Sequence, residues 1–175
     1  MSKIFPAATV VLIRDSDDGL ETLLLRRSTA VSFAKGAWVF PGGRIDKDDY
    51  RDDLEDIEAA ARRGAVRETL EEADLVVNEE GMIYFAHWTT PPEHPKRFAT
   101  WFYISEVESG SSSVTVDNSE IVEHRWYTPR QALADLQSKH IEMMPPTFIT
   151  LTELGGCANV AQALAMYRQR PVPEI

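Results

Sequence analysis

The chain has 175 residues, of which 43% are hydrophobic, and this is enough for one domain with a sizeable core. Its net charge of −10 argues against a protein that coats nucleic acid, because phosphate backbones are bound by basic patches. A single cysteine, Cys157, excludes an internal disulfide, and no apolar stretch reaches the roughly 20 residues of a membrane span. The sequence therefore predicts one cytoplasmic domain, residues 1–175, with no membrane and no nucleic-acid partner.

Five segments are rich in β-branched, aromatic or apolar residues and predict strands. In chain order they are residues 7–14, 21–26, 82–88, 98–107 and 121–127. Turn-forming residues 15–19 separate the first two, which predicts a hairpin. A short apolar run, 37–40, stops at Pro41-Gly42-Gly43, and residues 109–113 predict a polar loop.

Helical patterns occupy much of the remaining chain. One follows the acidic stretch 46–58 and ends near Asp74, another covers 129–136, and further pieces lie at 148–154 and 159–167. The second of these begins with proline, which is favoured in a first helical turn. The mixed order of strands and helices predicts an α/β (α+β) sandwich.

The first helical segment carries three glutamates on one face. At about 100° per residue, Glu71 and Glu72 lie on either side of Glu68, so the three carboxylates share an arc of roughly 100°. Carboxylates this close repel one another unless a cation neutralises them, and oxygen ligands of this kind favour Mg²⁺ or Mn²⁺. Taken alone, a glutamate-rich helix face is more often simply solvated.

The sequence of the same segment also predicts which side of the helix packs against the rest of the protein. Val66, Leu70 and Ala73 fall opposite the glutamates, so we expect them to be buried against a sheet. Gly64 and Ala65 continue the carboxylate face, where their small size leaves room for a loop or ligand to approach. The glycines after residues 37–40 could bring a backbone carbonyl beside the glutamates.

Together these elements resemble the Nudix hydrolase family. Its sequence box reads G-x5-E-x7-R-E-x-x-E-E-x-G-U, in which U is a bulky apolar residue. The matching positions here are Gly43, Arg67, Glu68, Glu71, Glu72 and Leu75.

The resemblance implies an α/β/α sandwich with a mixed central sheet, and a pyrophosphatase activity on nucleoside diphosphates linked to another group. It implies Mg²⁺ or Mn²⁺ bound by Glu68, Glu71, Glu72 and the carbonyl of Gly43. Arg67 would orient the carboxylates, and Glu68 or Glu120 would help to deprotonate the attacking water. An acidic residue before Trp126 is expected to face the metal, and Glu120 is favoured over Glu123.

The match has one long departure. Gly43 and Arg67 are 24 positions apart where the box has 14, so about ten residues are inserted within 44–57. Counted back from Arg67, the first glutamate of the box falls at Ala59, and Glu58 or Glu55 is expected to substitute for it. A second departure is Asp74, which replaces the glycine of the box. We expect Asp74 to form a left-handed helix cap, a conformation that Asp tolerates better than most residues.

Other segments resemble a long-insertion branch of the family that includes peroxisomal coenzyme A diphosphatases. Residues 40–46, 88–91, 95–98 and 145–147 carry this resemblance. A coenzyme A motif of some relatives, L-L-T-x-R-S-x3-R-x3-G-x3-F-P-G-G, also matches in register, at Leu23, Leu24, Arg27, Ser28, Gly36 and residues 40–43. Leu25 replaces its threonine, and Ser32 replaces its second arginine.

The resemblance implies coenzyme A or an acyl derivative as substrate. It leaves open ADP-ribose, another nucleotide sugar or a dinucleotide, a non-catalytic nucleotide-binding module, and a homodimer. Arg27, Arg44 and Arg97 are the predicted substrate-binding residues. The arginine missing at Ser32 would need compensation by Arg26, Lys35 or Arg97. The four histidines predict surface or packing roles.

Overall fold

A mixed sheet of seven strands forms the centre of the structure, a computed structural model that describes residues 2–107 and 113–175. The strands are β1 (Ile4–Ser16), β2 (Gly19–Arg27), β3 (Trp38–Val39), β4 (Gly42–Arg44), β5 (Ile83–Thr89), β6 (Arg97–Glu106) and β7 (Ile121–Tyr127). Five of them pair in the order β3-β2-β1-β6-β5, while β4 pairs with β1 and β7 with β2. Of the predicted polar loop at 109–113, residues 109–112 lie outside the described residues.

Strand β1 lies in the middle of the sheet because it is apolar on both faces. Ala8, Val10 and Leu12 belong to the core on one face, and Val11 and Ile13 to the core on the other. β1 forms the predicted hairpin with β2 and runs parallel to β6 over ten residue pairs. A strand buried on both faces has a continuous apolar sequence, which explains why this segment was recognisable.

Four α-helices in the described part of the chain cover the sheet. They are α1 (Ile57–Ala73), α2 (Pro129–Gln137), α3 (Pro145–Leu154) and α4 (Val160–Gln169). α1 contributes to the core on one face, and the other three contribute to the core on the opposite face. The predicted α/β/α sandwich with a mixed central sheet is confirmed. None of the helices described is long and apolar enough to cross a lipid bilayer.

Helix α1 packs through small residues, which corrects one expectation. Leu70 was expected to be buried, yet it is 47% exposed. The buried positions of the helix include Ala60, Ala61, Gly64, Ala65 and Ala73. Small side chains let the helix backbone approach the neighbouring segments closely: a Cβ atom at Gly64 would lie 3.1 Å from a carboxylate oxygen of Asp49. The close approach predicted for this face is present, but the bulky leucine points away from it.

The end of α1 is formed as predicted. Asp74 has φ 55° and ψ 38°, the left-handed conformation, and its N–H donates to the carbonyl of Leu70. The residue therefore stands where the family box has glycine, and it adopts the conformation that glycine favours.

This cap yields a stability prediction. Replacing Asp74 by glycine should raise the free energy of unfolding, because the left-handed conformation costs other residues roughly 1–2 kcal/mol. Asp74→Val should lower it, since a β-branched residue strongly disfavours positive φ. Urea denaturation of the three proteins measures both changes. Equal stability of Asp74→Val and the wild type would contradict the cap assignment.

Candidate functional site

A cavity of about 810 Å³ opens where β1, β4 and β6 meet the loop after β2. This volume is typical of small-molecule sites. Its wall combines ionisable and apolar side chains. The ionisable ones are Arg27, Arg44, Glu68, Glu72, His94, Lys96 and Glu120, and the large apolar ones include Phe33, Phe40, Trp88, Phe98, Phe102 and Met144.

Strand β4 brings a glycine directly against the glutamates of α1. β4 pairs with β1 at Ala8 and Thr9, which holds Gly42 and Gly43 on the cavity wall. A Cβ atom at Gly43 would lie 2.5 Å from the carboxyl carbon of Glu68. A side chain at position 43 would displace the Glu68 carboxylate from this position, so glycine permits the observed contact between the strand and the helix.

The guanidinium of Arg67 joins α1 to the segment that follows β4. Its Nε and Nη2 donate to the two carboxylate oxygens of Asp49 at 3.1 and 3.0 Å, and Nη2 also donates to the carbonyl of Arg44 at 3.0 Å. Its Nη1 donates to Glu68 at 3.1 Å and to Glu71 at 3.2 Å. Arg67 is thereby placed to orient two of the three predicted ligands.

Asp49 corrects the expected position of the first glutamate of the box. Neither Glu58 nor Glu55 contacts Arg67 in the described structure: Glu58 lies 3.7 Å from Arg62, and Glu55 is exposed. Asp49, in a short 3₁₀ helix (Lys47–Tyr50), is only 6% exposed and forms the paired bonds with Arg67. Five residues separate it from Gly43, as the box requires, so the insertion lies after Asp49 and not before it.

The carboxylate of Glu72 is buried, and neighbouring groups offset only part of the cost of burying its charge. It is 3% exposed, and its Oε2 has no hydrogen-bond partner in the described structure. Burial raises its pKa well above the usual range, and the charge of Glu68 adds to the effect, while Arg27 and the N–H of Gly42 oppose it. Burial also raises the pKa of Glu68, which Arg67 partly offsets. Both side chains would be stabilised by an added positive charge.

The other acidic candidates, Glu71, Glu120 and Glu123, differ in their position relative to the cavity. Glu71 is 58% exposed in its side chain and faces Arg67, and it does not line the cavity. Glu120 lines the cavity, and its charge acts on both Glu68 and Glu72. Glu123 instead forms an ion pair with Arg26 at 3.2 Å outside this cavity. Of the two candidates before Trp126, Glu120 is the one near the helix glutamates.

These carboxylates have the chemistry of a hard divalent cation site. Carboxylate oxygens suit Mg²⁺ and Mn²⁺, and an unpartnered buried oxygen such as Oε2 of Glu72 is a position that a cation would satisfy. Within residues 2–107 and 113–175, no three acidic, histidine or cysteine side chains already form a group able to hold a metal. One reason is that Glu71 is hydrogen-bonded to Arg67.

Two of the three predicted substrate arginines lie on the cavity wall. Arg27 donates its Nε to the carbonyl of Phe33 at 3.0 Å, and the guanidinium of Arg44 stacks 4.0 Å from the ring of Phe5. Arg97 does not line the cavity and donates to the carbonyl of Thr90 at 2.9 Å. Arg97 is excluded from the cavity wall by strand alternation, because the even-numbered residues of β6 face the cavity and Arg97 lies on the other side.

Sequence reasoning missed two charged or polar residues of this wall. Lys96 and His94 both line the cavity. Residues 95–98 carry the resemblance to the coenzyme A branch, but neither Lys96 nor His94 was among the predicted substrate-binding residues. The alternation of Phe98, Thr100 and Phe102 was the available clue, since Lys96 continues the same series. Trp88 also lines the cavity, and it packs against the hydrophobic core as well.

Residues 3–146 match the family described as the NUDIX domain. The chain belongs to the Nudix family. The match extends from β1 to the start of α3, and it therefore includes the glycine strand, the glutamate helix and most of the cavity wall of this Nudix chain.

Curated relatives are similar at low identity. Nudix hydrolase 7 of Caenorhabditis elegans is 25% identical over 167 residues, which cover 75% of this chain and 55% of that protein. The acyl-coenzyme A diphosphatase NUDT19 of Xenopus laevis is 23% identical over 226 residues, covering 77% and 59%. This Nudix chain thus spans little more than half the length of the curated relatives it matches.

A solved structure agrees over nearly the whole chain. The NUDIX hydrolase of Alicyclobacillus acidocaldarius superposes with a TM-score of 0.80 at 24% identity, covering 94% of this chain and 97% of that one. At this identity the likeness shows the Nudix fold.

The Arg67–Asp49 contact leads to a second stability prediction. Asp49→Asn should lower the free energy of unfolding by about 1.5–3 kcal/mol, the range for hydrogen bonds to charged groups. Asp46→Asn is the matched control, because Asp46 is 62% exposed and lies 3.5 Å from Arg67. Its loss should cost at most about 1 kcal/mol. Equal losses in the two variants, measured by chemical denaturation, would show that Asp49 is an ordinary surface partner.

Proposed function

We propose that this chain is a metal-dependent hydrolase that cleaves the diphosphate of a nucleoside diphosphate linked to a second group. One observation carries the proposal: Glu68 and Glu72 are largely buried beside Gly43, both line a nucleotide-sized cavity, and Oε2 of Glu72 has no hydrogen-bond partner in the described structure. Such an arrangement costs stability in the isolated protein, which a bound cation and its anionic ligand would recover.

The cations of the cavity wall support an anionic substrate. Arg27, Arg44 and Lys96 form no ion pair with a carboxylate in the described residues. Six arginines elsewhere in the described structure do form such pairs, in a chain of net charge −10. Cations that stay unpaired on a cavity wall in so acidic a chain are suited to bind phosphate.

Glu68, Glu71 and Glu72, with the carbonyl of Gly43, would hold the Mg²⁺ or Mn²⁺. When bound, the ion supplies neutralisation of the diphosphate charge and lowers the pKa of a water molecule. Arg67 keeps Glu68 and Glu71 oriented through its hydrogen bonds.

The proposed reaction is hydrolysis of one bridging P–O bond. Glu68 or Glu120 accepts a proton from the attacking water, whose oxygen bonds to one phosphorus. The bond from that phosphorus to the bridging oxygen breaks, and the second phosphate leaves with the bridging oxygen. Arg27 and Arg44 bind the phosphates during this exchange. The products are a nucleoside monophosphate and a phosphorylated remainder.

For the substrate, we infer coenzyme A or an acyl-coenzyme A. Arg27 and the Phe40–Gly43 segment, which match the coenzyme A motif, contribute to the cavity wall, as do residues 88–91 and 145–147 of the resembling branch. The aromatic and proline side chains of the wall provide apolar surface for the pantetheine or acyl portion. One curated relative is itself named as an acyl-coenzyme A diphosphatase.

We further infer that residues 1–175 form one Nudix domain. α4 lies beyond the matched range, yet Val160, Ala163 and Tyr167 belong to the same core as β1. The cytoplasmic location, the absence of a nucleic-acid partner and the homodimer left open by the sequence stay predictions.

The metal assignment predicts opposite effects on activity and stability at one residue. Glu72→Gln should reduce turnover by at least about a hundredfold, since loss of even an indirect metal contact costs 10–100-fold. The same change should preserve or raise the melting temperature, because a buried neutral amide costs less than an unpartnered carboxylate. Steady-state kinetics and thermal unfolding measure the two effects. Glu80→Gln, an exposed glutamate outside the cavity, is the control.

Two outcomes would contradict this assignment. Full activity of Glu72→Gln would remove the residue from the site, and full activity in excess chelator would remove the metal. In addition, Mg²⁺ or Mn²⁺ should raise the melting temperature of the wild type more than that of Glu72→Gln.

The substrate is tested by a screen of coenzyme A, an acyl-coenzyme A, ADP-ribose and a dinucleotide with each metal. Chromatography should show 3′-phosphoadenosine 5′-phosphate released from coenzyme A. Glu120→Gln should slow this release, and Glu123→Gln, whose partner is Arg26, should not. Hydrolysis of ADP-ribose but not of coenzyme A would contradict the assignment of coenzyme A as the substrate. Nucleotide binding with no hydrolysis of any compound would instead indicate a non-catalytic module.

A further inference from the structure

We propose that Lys96 binds a phosphomonoester of the substrate that is separate from the diphosphate being cleaved. The inference rests on the proposed function and names a residue that determines specificity within it. Nζ of Lys96 lies 3.4 Å from the hydroxyl of Ser32, and both residues line the cavity. Ser32 stands where the coenzyme A motif has its second arginine. Lys96, 64 positions away in sequence, places a positive charge where that arginine is missing.

The contacts of Lys96 leave its charge available. It is half-buried, its Nζ lies 5.7 Å from the centre of the Phe98 ring, and it forms no carboxylate ion pair in the described structure. An ammonium group has three donors, and the hydroxyl of Ser32 can accept only one of them at this long distance. The remaining donors are free to bind an anion in the cavity.

The other candidates for this compensation are placed elsewhere. Arg26 is paired with Glu123, and Lys35 is exposed and does not line the cavity. Arg97 donates to the carbonyl of Thr90 and points away from the cavity wall. Lys96, by contrast, lies beside Ser32 on the cavity wall.

The register of the sheet separates Lys96 from the groups that would hold the diphosphate. Lys96 precedes Arg97, which pairs with Ile4 of β1, whereas Gly43, which lies against Glu68, pairs with Ala8. Four residues of an extended strand span roughly 13 Å. An anion at Lys96 is therefore distinct from one at the glutamates. A substrate that reaches both places carries a diphosphate and, in addition, a phosphomonoester on its nucleoside portion.

Kinetics with two substrates that differ by one phosphate test this role. Coenzyme A carries a 3′-phosphate, and dephospho-coenzyme A lacks it. Lys96→Gln should raise KM for coenzyme A by about tenfold, the lower end expected for one charge-assisted bond, and leave kcat within about twofold. KM for dephospho-coenzyme A should not change. Lys35→Gln, which removes the same charge from the exposed loop, should leave both KM values unchanged.

A second variant restores the charge from the other side of the contact. Ser32→Arg in the Lys96→Gln background should recover most of the lost affinity for coenzyme A, because the arginine then occupies the motif position. Recovery would show that the variant fold is intact and that charge at this place is what matters. An unchanged KM in Lys96→Gln, or equal increases for both substrates, would overturn the proposal.

A binding measurement that needs no hydrolysis tests the role of Lys96 independently of the proposed enzymatic activity. Calorimetry with adenosine 3′,5′-bisphosphate and adenosine 5′-monophosphate requires no hydrolysis. The wild type should prefer the bisphosphate by about tenfold, and Lys96→Gln should lose that preference. Absent hydrolysis with this preference intact would refute the proposed function alone. Hydrolysis of coenzyme A with no such preference would refute the role of Lys96 alone.

Discussion

The ion pair between Arg67 and Asp49 is the contact on which the geometry of the site depends. It joins α1 to the 3₁₀ helix and to the end of β4, from which the insertion separates α1 in sequence. The carboxylate of Asp49 also holds the pKa of Arg67 above its ordinary range, against the opposing effect of partial burial. One positive charge is then shared among Asp49, Glu68 and Glu71. The buried carboxylate of Glu72 is stabilised by the charge of Arg27 and by the N–H of Gly42.

Close packing around α1 has a cost as well as a function. Alanines and Gly64 allow the helix to approach its neighbours, and Gly43 allows β4 to contact Glu68. The same packing excludes water from the glutamates, which disfavours their charged forms. Sites built in this way are less stable than an apolar alternative, a common relation between stability and activity. The sandwich provides enough apolar core on both faces of β1 to tolerate it.

Much of this arrangement was predictable because it depends on local patterns. The apolar run of β1, the glutamate spacing and the left-handed cap at Asp74 are each determined by a few neighbouring residues. The residues that α1 buries were harder to predict from the sequence. Hydrophobicity favoured Leu70 for the buried face, but the space between helix and sheet admits only small side chains, and a sequence pattern does not report that distance.

The missed residues depend on contacts between distant segments. Counting back from Arg67 crosses an insertion of unknown conformation and ends at Ala59, whereas counting forward from Gly43 reaches Asp49. The resemblance at residues 95–98 did not indicate that Lys96 lies beside Ser32, because this contact follows from how two loops meet. Arg97 looked more suitable by residue type. Its exclusion from the cavity follows from strand alternation, which requires knowing where β6 begins.

The parallel pairing of β1 with β6 has a consequence for how the protein folds. Ile4 lies opposite Arg97, more than ninety positions away, so this register cannot form until a long loop has closed. β1 also supports β4 and its glycines, while β6 supplies the opposite wall of the cavity. A nascent chain can therefore form the first hairpin and α1 early, but it has no cavity until β6 has been synthesised. We expect the capacity to bind nucleotides to develop late in folding, with the docking of β6 against β1 as the step that controls its rate.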